Sequence, residues 1–157
     1  MSEAGGGTVT EVYFYHLERQ TLEDVLPGLI ERSLERGWRA AVQAASEERV
    51  EALDTPLWTY REDSFLPHGT ARDGPGQAQP VYLTIADDNP NDAQVRFLVD
   101  GAELADAVPY IRVVFVFDGR DAEAVARARE QWQRAKAQGY AVSYWQQDAN
   151  GRWQQKA

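Results

Sequence analysis

The chain has 157 residues, no cysteine and a formal net charge of −9, and 43% of its residues are hydrophobic and 26% charged. These totals fit one globular domain with a buried core, and they exclude disulfides, thiolate nucleophiles and thiolate metal sites. They also argue against a direct DNA reader, because most of this surface would repel phosphates.

Three further features concern the ends of the chain and its location. The opening MSEAGGGT is polar and glycine-rich, and we expect residues 1–8 to form a flexible N-terminal tail. No apolar run approaches the roughly 18 residues of a membrane span, and no signal-peptide pattern opens the chain. The lack of cysteine favours the reducing cytoplasm.

The first half of the chain alternates strand and helix patterns. Residues 9–17 are rich in β-branched and aromatic residues and predict a strand. An apolar helical face follows, with Thr21 and Asp24 spaced as a capping box and Gly37 as a stop. Because proline does not suit a helix interior, the expected helix begins near Leu26, with Pro27 in its first turn. A short strand at residues 38–44 and a helix from Ser46 to a point before Pro56 complete this half.

A long loop and four more strands make up the second half. Residues 55–79 are dense in glycine and proline and predict a loop. Strands are predicted at residues 80–86, 93–100, 111–119 and 140–148, with a helix from about Asp121 to Gln138 that closes at Gly139. Strand–helix alternation at both ends predicts a single α/β domain, three-layered and Rossmann-like, with a mainly parallel sheet. We assign this domain to residues 9–147 and treat 148–157 as a C-terminal tail.

The long loop contains residues that suggest chemistry. Its glycines match neither GxGxxG nor GxxxxGK[ST], and the loop leads into a strand rather than a helix, which favours turn glycines over a phosphate cradle. Ser64 and His68, with Asp63 or Asp73, could form a triad on paper, but no G-x-S-x-G elbow is present. An orphan Rossmann-like enzyme with its site in residues 58–76 is therefore the alternative rather than the preferred hypothesis.

The acidic turn ADDNPND offers carboxylates to a hard cation, from Asp87, Asp88 and Asp92. It lacks the spacing of an EF-hand, and aspartate and asparagine are common in plain turns. A structural turn is the better interpretation, and the sequence indicates no metal and no cofactor.

The last helix is net positive in an acidic protein. Arg129, Trp132, Gln133 and Lys136 share one helical face, and a guanidinium beside an indole suits a partner that offers a carboxylate next to an apolar group. Trp132 also follows the spacing of Val125, so the pattern alone leaves a core role open.

Four segments resemble the chi subunit family of the bacterial DNA polymerase III clamp-loader assembly. They are VYFYHL in the first strand, LWTYREDSFLPHGTARDGPG in the long loop, VPY at 108–110 and AREQWQRAKAQGY near the end. The resemblance runs from about Val12 to Trp145, and the W-x6-F-x-P-H run is its most specific part.

The resemblance implies a non-enzymatic adaptor with a Rossmann-like fold and no nucleotide. Members of this family pair with the psi subunit of the clamp loader. They also bind the acidic C-terminal tail of single-stranded-DNA-binding protein, which ends in a phenylalanine with a free carboxylate. Such a protein reaches DNA only through another protein, which fits the net charge of −9.

Carried over by motif, the tail site would comprise Trp58, Phe65, Arg129 and Trp132, with Gln133 and Lys136 on the same helix. In relatives a basic residue follows the helix aromatic, and here that position is Gln133. The departure leaves the electrostatic attraction to Arg129, with Lys136 or Arg134.

Overall fold

The computed structural model describes residues 9–58, 69–70, 80–103, 107 and 109–157. In chain order the elements are β1 (Glu11–Leu17), α1 (Leu22–Glu35), β2 (Ala40–Gln43), α2 (Glu47–Trp58), β3 (Gly69–Thr70), β4 (Val81–Thr84), β5 (Val95–Leu98), β6 (Arg112–Asp118), α3 (Ala122–Ala137), β7 (Ala141–Gln147) and β8 (Trp153–Gln155). No helix in this described part of the chain is long and apolar enough to cross a membrane.

The strands form one sheet in the order β3-β4-β2-β5-β6-β1-β7-β8. Every pairing is parallel except the β7–β8 hairpin at the edge. The central strands β2, β4 and β5 are buried along their whole length, as expected for strands covered on both faces.

Helices cover both faces of the sheet. The helices α1 and α2 pack on one face, and α3 packs on the other against β6, β7 and β1. Alternate residues of β1 therefore enter different cores: Tyr15 and Leu17 join the α1 side, whereas Val12 and Phe14 join the α3 side. The predicted three-layer α/β fold with a mainly parallel sheet is confirmed.

The two predictions that relied on prolines as helix breakers were wrong. The helix α1 begins at Leu22 rather than near Leu26, and it runs through Pro27, which is buried. The capping box explains the early start, because Thr21 Oγ1 accepts from the Asp24 amide at 3.2 Å and the Asp24 carboxylate accepts from the Thr21 amide at 3.1 Å. Packing of the buried apolar face then offsets the missing proline donor.

The helix α2 likewise extends past Pro56 to Trp58. A proline so close to the end of a helix removes one backbone hydrogen bond after the preceding turns have formed, so the helix is not broken there.

The C-terminal segment adds a strand to the sheet. Residues 148–157, expected as a tail, contain β8, which pairs antiparallel with β7 from Gln147↔Trp153 to Trp145↔Gln155. Trp153 packs edge-on against Tyr15, with ring centroids 4.6 Å apart, and joins the α1-side core. These contacts explain why an aromatic residue stands near the end of an otherwise polar segment.

Candidate functional site

The helix α3 presents the sequence-predicted residues on its outer side. Asp121 caps its N-terminus by accepting from the amides of Glu123 and Ala124, and Gly139 follows the C-cap with φ +85°. Ala128 and Ala135 are buried against the sheet, whereas Arg129, Gln133 and Lys136 are exposed and Trp132 is half-buried. Small residues on the inner side bring the helix close to the strands.

A cavity of about 260 Å³ lies between α3 and three strands of the sheet. We call it the α3 pocket. Its walls come from α3 and from strands β1, β6 and β7, and they are mostly aromatic: Phe14, His16, Phe117, Val125, Ala128, Arg129, Trp132 and Tyr144. Arg129 is the charged side chain at its edge.

Aromatic packing fixes the position of Trp132. Its ring meets Phe14 edge-to-face with centroids 5.5 Å apart, and it meets Tyr144 in the same way at 6.0 Å. The Lys136 ammonium lies 5.6 Å from the centroid of the indole ring, within the range of a cation–π contact. Trp132 therefore serves both the core and the pocket wall, so the two interpretations of its spacing are compatible.

Arg129 is an exposed cation at the edge of this aromatic wall. No described carboxylate lies within ion-pair distance of its guanidinium. Burial raises the pKa of Tyr144 above its ordinary value and Glu18 adds to the rise, whereas the nearby Arg129 guanidinium opposes it. An exposed guanidinium beside an apolar cavity is suited to a carboxylate whose substituent enters the cavity.

His16 supplies the polar part of the pocket wall. Its Nδ1 forms a hydrogen bond with the Tyr144 hydroxyl, and its Nε2 lies 3.6 Å from the Glu18 carboxylate. Its ring lies against Phe117 with centroids 5.1 Å apart. These contacts hold the imidazole in one orientation.

Gly119 leaves the space that this imidazole occupies, because a Cβ at position 119 would overlap the His16 ring. We expect Gly119→Ala to lower the free energy of unfolding by about 1–3 kcal/mol, since the methyl group must displace the ring. Urea denaturation of a double-mutant cycle checks this: the cost should vanish in a His16→Ala background. An equal cost in both backgrounds would show that the ring is not the obstacle.

The structure brings together part of the sequence-predicted site. Arg129 and Trp132 both line the α3 pocket, and Lys136 contacts Trp132. Gln133 is exposed on α3 outside the pocket lining. Trp58 ends α2, the helix on the opposite face of the sheet, and its side chain, like all of Phe65, lies outside the described residues. The contribution of Trp58 and Phe65 to the site stays a prediction.

Sequence reasoning missed the four aromatic residues that the strands contribute, Phe14, His16, Phe117 and Tyr144. Their alternation with α1-side residues along β1 was a readable signal. The sequence did not give the strand order, and only the adjacency of β6, β1 and β7 places these residues side by side.

A second crevice of about 400 Å³ lies where nucleotide-binding α/β folds place their ligands. There the adjacent strands β1 and β6 continue into helices on opposite faces. Arg49 bridges it with ion pairs to Glu23 at 2.9 Å and Asp100 at 2.8 Å. Thr21 and Asp121 cap the two helix N-termini. Arg49 and the capped helix amides, which could otherwise hold a phosphate, are thus bound to side chains of the chain itself.

The acidic turn after β4 is held by its own hydrogen bonds. The Asp88 carboxylate accepts from the hydroxyl of Thr84 at 2.8 Å and from that of Tyr82 at 3.4 Å. Across the described ranges no group of three or more histidines and carboxylates is placed to hold a metal ion. Asp88 therefore serves the turn itself. The predicted loop residues Ser64, His68, Asp63 and Asp73 lie outside those ranges.

Comparison with known proteins identifies the family. The chain matches the family described as DNA polymerase III chi subunit, HolC, over residues 9–143, which includes the whole α3 pocket except Tyr144. The chain belongs to this chi subunit family. It is also similar to a protein of Rickettsia prowazekii (strain Madrid E) named "Probable DNA polymerase III subunit chi", with 27% identity over 103 residues. That match covers 66% of this chain and 62% of the relative, so the chain spans less than two thirds of the relative's length.

The resemblance read from the sequence is therefore confirmed at the level of the family. The description of this family names DNA polymerase III. The α3 pocket is a surface feature of a chi-family domain.

Proposed function

We propose that this chi-family chain is a non-catalytic adaptor of DNA replication in the cytoplasm. It would bind the acidic C-terminal tail of single-stranded-DNA-binding protein in the α3 pocket and join the clamp loader through the psi subunit. The observation that carries the proposal is the exposed Arg129 guanidinium at the edge of an aromatic pocket.

The pocket suits a C-terminal phenylalanine in size and charge. A benzene ring fits an apolar protein cavity of about 150 Å³, and the α3 pocket measures about 260 Å³. With the ring between Phe117 and Trp132, the terminal carboxylate would meet Arg129 at the edge. Lys136 adds a second cation for the acidic residues that precede the phenylalanine.

Energetics favour weak, reversible binding. Burial of a phenyl ring contributes about 1.5–3 kcal/mol, and a charge-assisted hydrogen bond to the carboxylate contributes about as much again. The sum falls short of the roughly 8 kcal/mol of micromolar affinity. We infer that Trp58, at the end of α2, and Phe65, in the predicted long loop, supply the remainder. Because the contact is partly ionic, added salt should weaken it.

Tail peptides that differ only at the last residue test the proposal directly. We expect a fluorescein-labelled acidic peptide ending in phenylalanine with a free carboxylate to bind the full chain in an anisotropy titration. Versions that end in phenylalanine amide or lack the phenylalanine should bind roughly tenfold more weakly or worse, since each loses one of the two main contacts. Equal affinity for all three peptides would contradict the pocket assignment.

The psi interaction rests on the family membership rather than on a particular surface. Its test is size-exclusion chromatography of the chain with a psi subunit, with and without a saturating tail peptide. We expect one complex that retains the peptide, since an adaptor must hold both partners at once. A psi subunit that displaces the peptide would contradict a linking role.

A further inference from the structure

One stretch of the sheet on the α1 side has little helical cover from the described residues. The helices α1 and α2 pack chiefly on β2, β4 and β6, and no described helix packs extensively on β7 or β8 on this face. The side chains that these strands and β1 turn to this face are large and aromatic: Tyr13, Tyr15, Trp145 and Trp153. A sheet face of this kind is normally covered by a helix in a layered α/β fold.

The uncovered stretch forms a wide cavity on this face of the sheet. It measures about 620 Å³ and lies between α1 and the β7–β8 hairpin. We call it the α1 groove. Gly28 and Leu29 of α1 form one wall, Gln147 and Gly151 belong to the other, and aromatic rings form the floor.

The groove is positively charged although the chain is acidic. Four arginines and one aspartate line it: Arg32 on α1, Arg36 at the C-cap of α1, Arg112 on the floor, Arg152 on the hairpin, and Asp24. Arg112 pairs with Glu11 at 2.9 Å. The other three guanidiniums have no carboxylate partner among the described residues. Three guanidiniums without a described carboxylate partner, in a protein of net charge −9, indicate an acidic occupant.

The ring geometry favours a peptide over nucleic acid. On the β7 side, the Tyr13 ring stacks on the Trp145 ring, with centroids 5.6 Å apart. On the β6 side, the Arg112 guanidinium lies 4.2 Å from the centroid of the same Tyr13 ring. Both faces of this ring are thus occupied, whereas base stacking needs a free face. The apolar side chains of a bound peptide pack into gaps between rings and do not need a free ring face.

We propose that the α1 groove binds an acidic amphipathic helix of a partner protein, which completes the helical layer beside α1. The apolar side of that helix would lie on Tyr15, Trp145 and Trp153. Its carboxylates would meet Arg32 and Arg36 on one flank and Arg152 on the other. Docking of a helix in an apolar groove with flanking charges is a common recognition mode.

This site is independent of the tail pocket. The α1 groove and the α3 pocket lie on opposite faces of the sheet and share no lining residue. One chain could therefore hold both partners at the same time. Loss of one interaction leaves the other measurable.

A designed peptide pair tests the proposal on the full chain. The probe is an acetylated, amidated helical peptide of about 16 residues, with leucine and phenylalanine at i, i+3, i+4 and i+7 spacing and glutamates on both flanks. Its partner carries lysine at every glutamate position. Amidation removes the terminal carboxylate that the α3 pocket would recognise. Fluorescence anisotropy measures binding to the wild-type chain, to Arg32→Glu/Arg36→Glu and to Arg120→Glu/Arg134→Glu, which changes the net charge equally outside the groove.

We expect the glutamate peptide to bind wild type with a Kd below about 100 µM. Arg32→Glu/Arg36→Glu should weaken it at least tenfold, whereas Arg120→Glu/Arg134→Glu and Arg129→Ala should bind it within about twofold of wild type. Circular dichroism confirms that each variant is folded.

Four outcomes would overturn the proposal. The first is no binding of the glutamate peptide to wild type, and the second is equal binding of the lysine peptide. The third is binding of an oligothymidylate to wild type that Arg32→Glu/Arg36→Glu abolishes, which would make the groove a nucleic-acid site. The fourth is a concentration-dependent dimer in sedimentation velocity that the same variant abolishes, which would make the occupant a second copy of this chain.

Discussion

Replacing Arg129 by alanine should weaken binding of a tail peptide that ends in phenylalanine by roughly 10- to 150-fold, the equivalent of one charge-assisted hydrogen bond. The guanidinium is exposed and has no described carboxylate partner, so its removal leaves no buried group unsatisfied. The free energy of unfolding should therefore change by less than about 0.5 kcal/mol. Anisotropy titration and urea denaturation of the same preparation separate the two effects.

A matched control lies on the same helix. Arg134 is exposed like Arg129, but it lines a different cavity, with Val12 and Phe115. Arg134→Ala removes the same net charge, so it should weaken the tail peptide by no more than about twofold through long-range electrostatics. If Arg134→Ala cost as much affinity as Arg129→Ala, the attraction would be a diffuse property of α3, and the carboxylate would not sit at Arg129.

The largest loss of stability is expected from replacement of Arg96 by methionine. This side chain is fully buried. Its guanidinium donates to Gln43 Oε1 at 2.7 and 3.1 Å, to the carbonyls of Ala86 and Asp88 at 2.6 and 2.7 Å, and to the Tyr110 hydroxyl at 3.1 Å. It thereby ties β5 to β2, to the turn after β4 and to the segment before β6.

Methionine would fill similar space but leave those acceptors without a donor. Because each buried unsatisfied group costs about 1–3 kcal/mol, we expect Arg96→Met to lower the free energy of unfolding by about 3–5 kcal/mol. Urea denaturation measures it. Arg120→Met is the control, since Arg120 is exposed and its ion pair with Asp118 contributes at most about 1 kcal/mol.

A second variant identifies the source of the loss. Gln43→Leu in the Arg96→Met background removes one of the orphaned acceptors, so the double variant should be more stable than the sum of the single losses predicts. If the free energies of unfolding of Arg96→Met and Arg120→Met instead differed by less than about 1 kcal/mol, the buried network would not hold these strands together.

Local signals predicted much of the fold. The pattern of β-branched and aromatic residues located β1 and β6, and the cap at Asp121 together with Gly139 located both ends of α3. These features depend on neighbours a few residues apart, so they can be read from the chain directly. The proline rule failed for α1 and α2 because packing of an apolar face outweighed a local preference.

The candidate site likewise has a part that the sequence predicted and a part that only the fold could show. Arg129, Trp132 and Lys136 were predicted to share a face because they stand on one helix, where spacing alone fixes neighbours. The family resemblance, now confirmed, pointed to the same helix. The opposite wall could not be predicted, because Phe14, Phe117 and Tyr144 are brought together by strands that lie far apart along the chain.

By itself, the sequence determined the α/β class, the helix that carries Arg129, and an acidic surface that argues against direct DNA binding. The tertiary structure alone decided that β6, β1 and β7 are neighbours, that the aromatic residues of this chi-family chain close one pocket against α3, and that the opposite face keeps an uncovered, arginine-lined groove. The physical reason is that helix contacts are set by intervals of three and four residues, whereas contacts between strands depend on the order in which the sheet assembles.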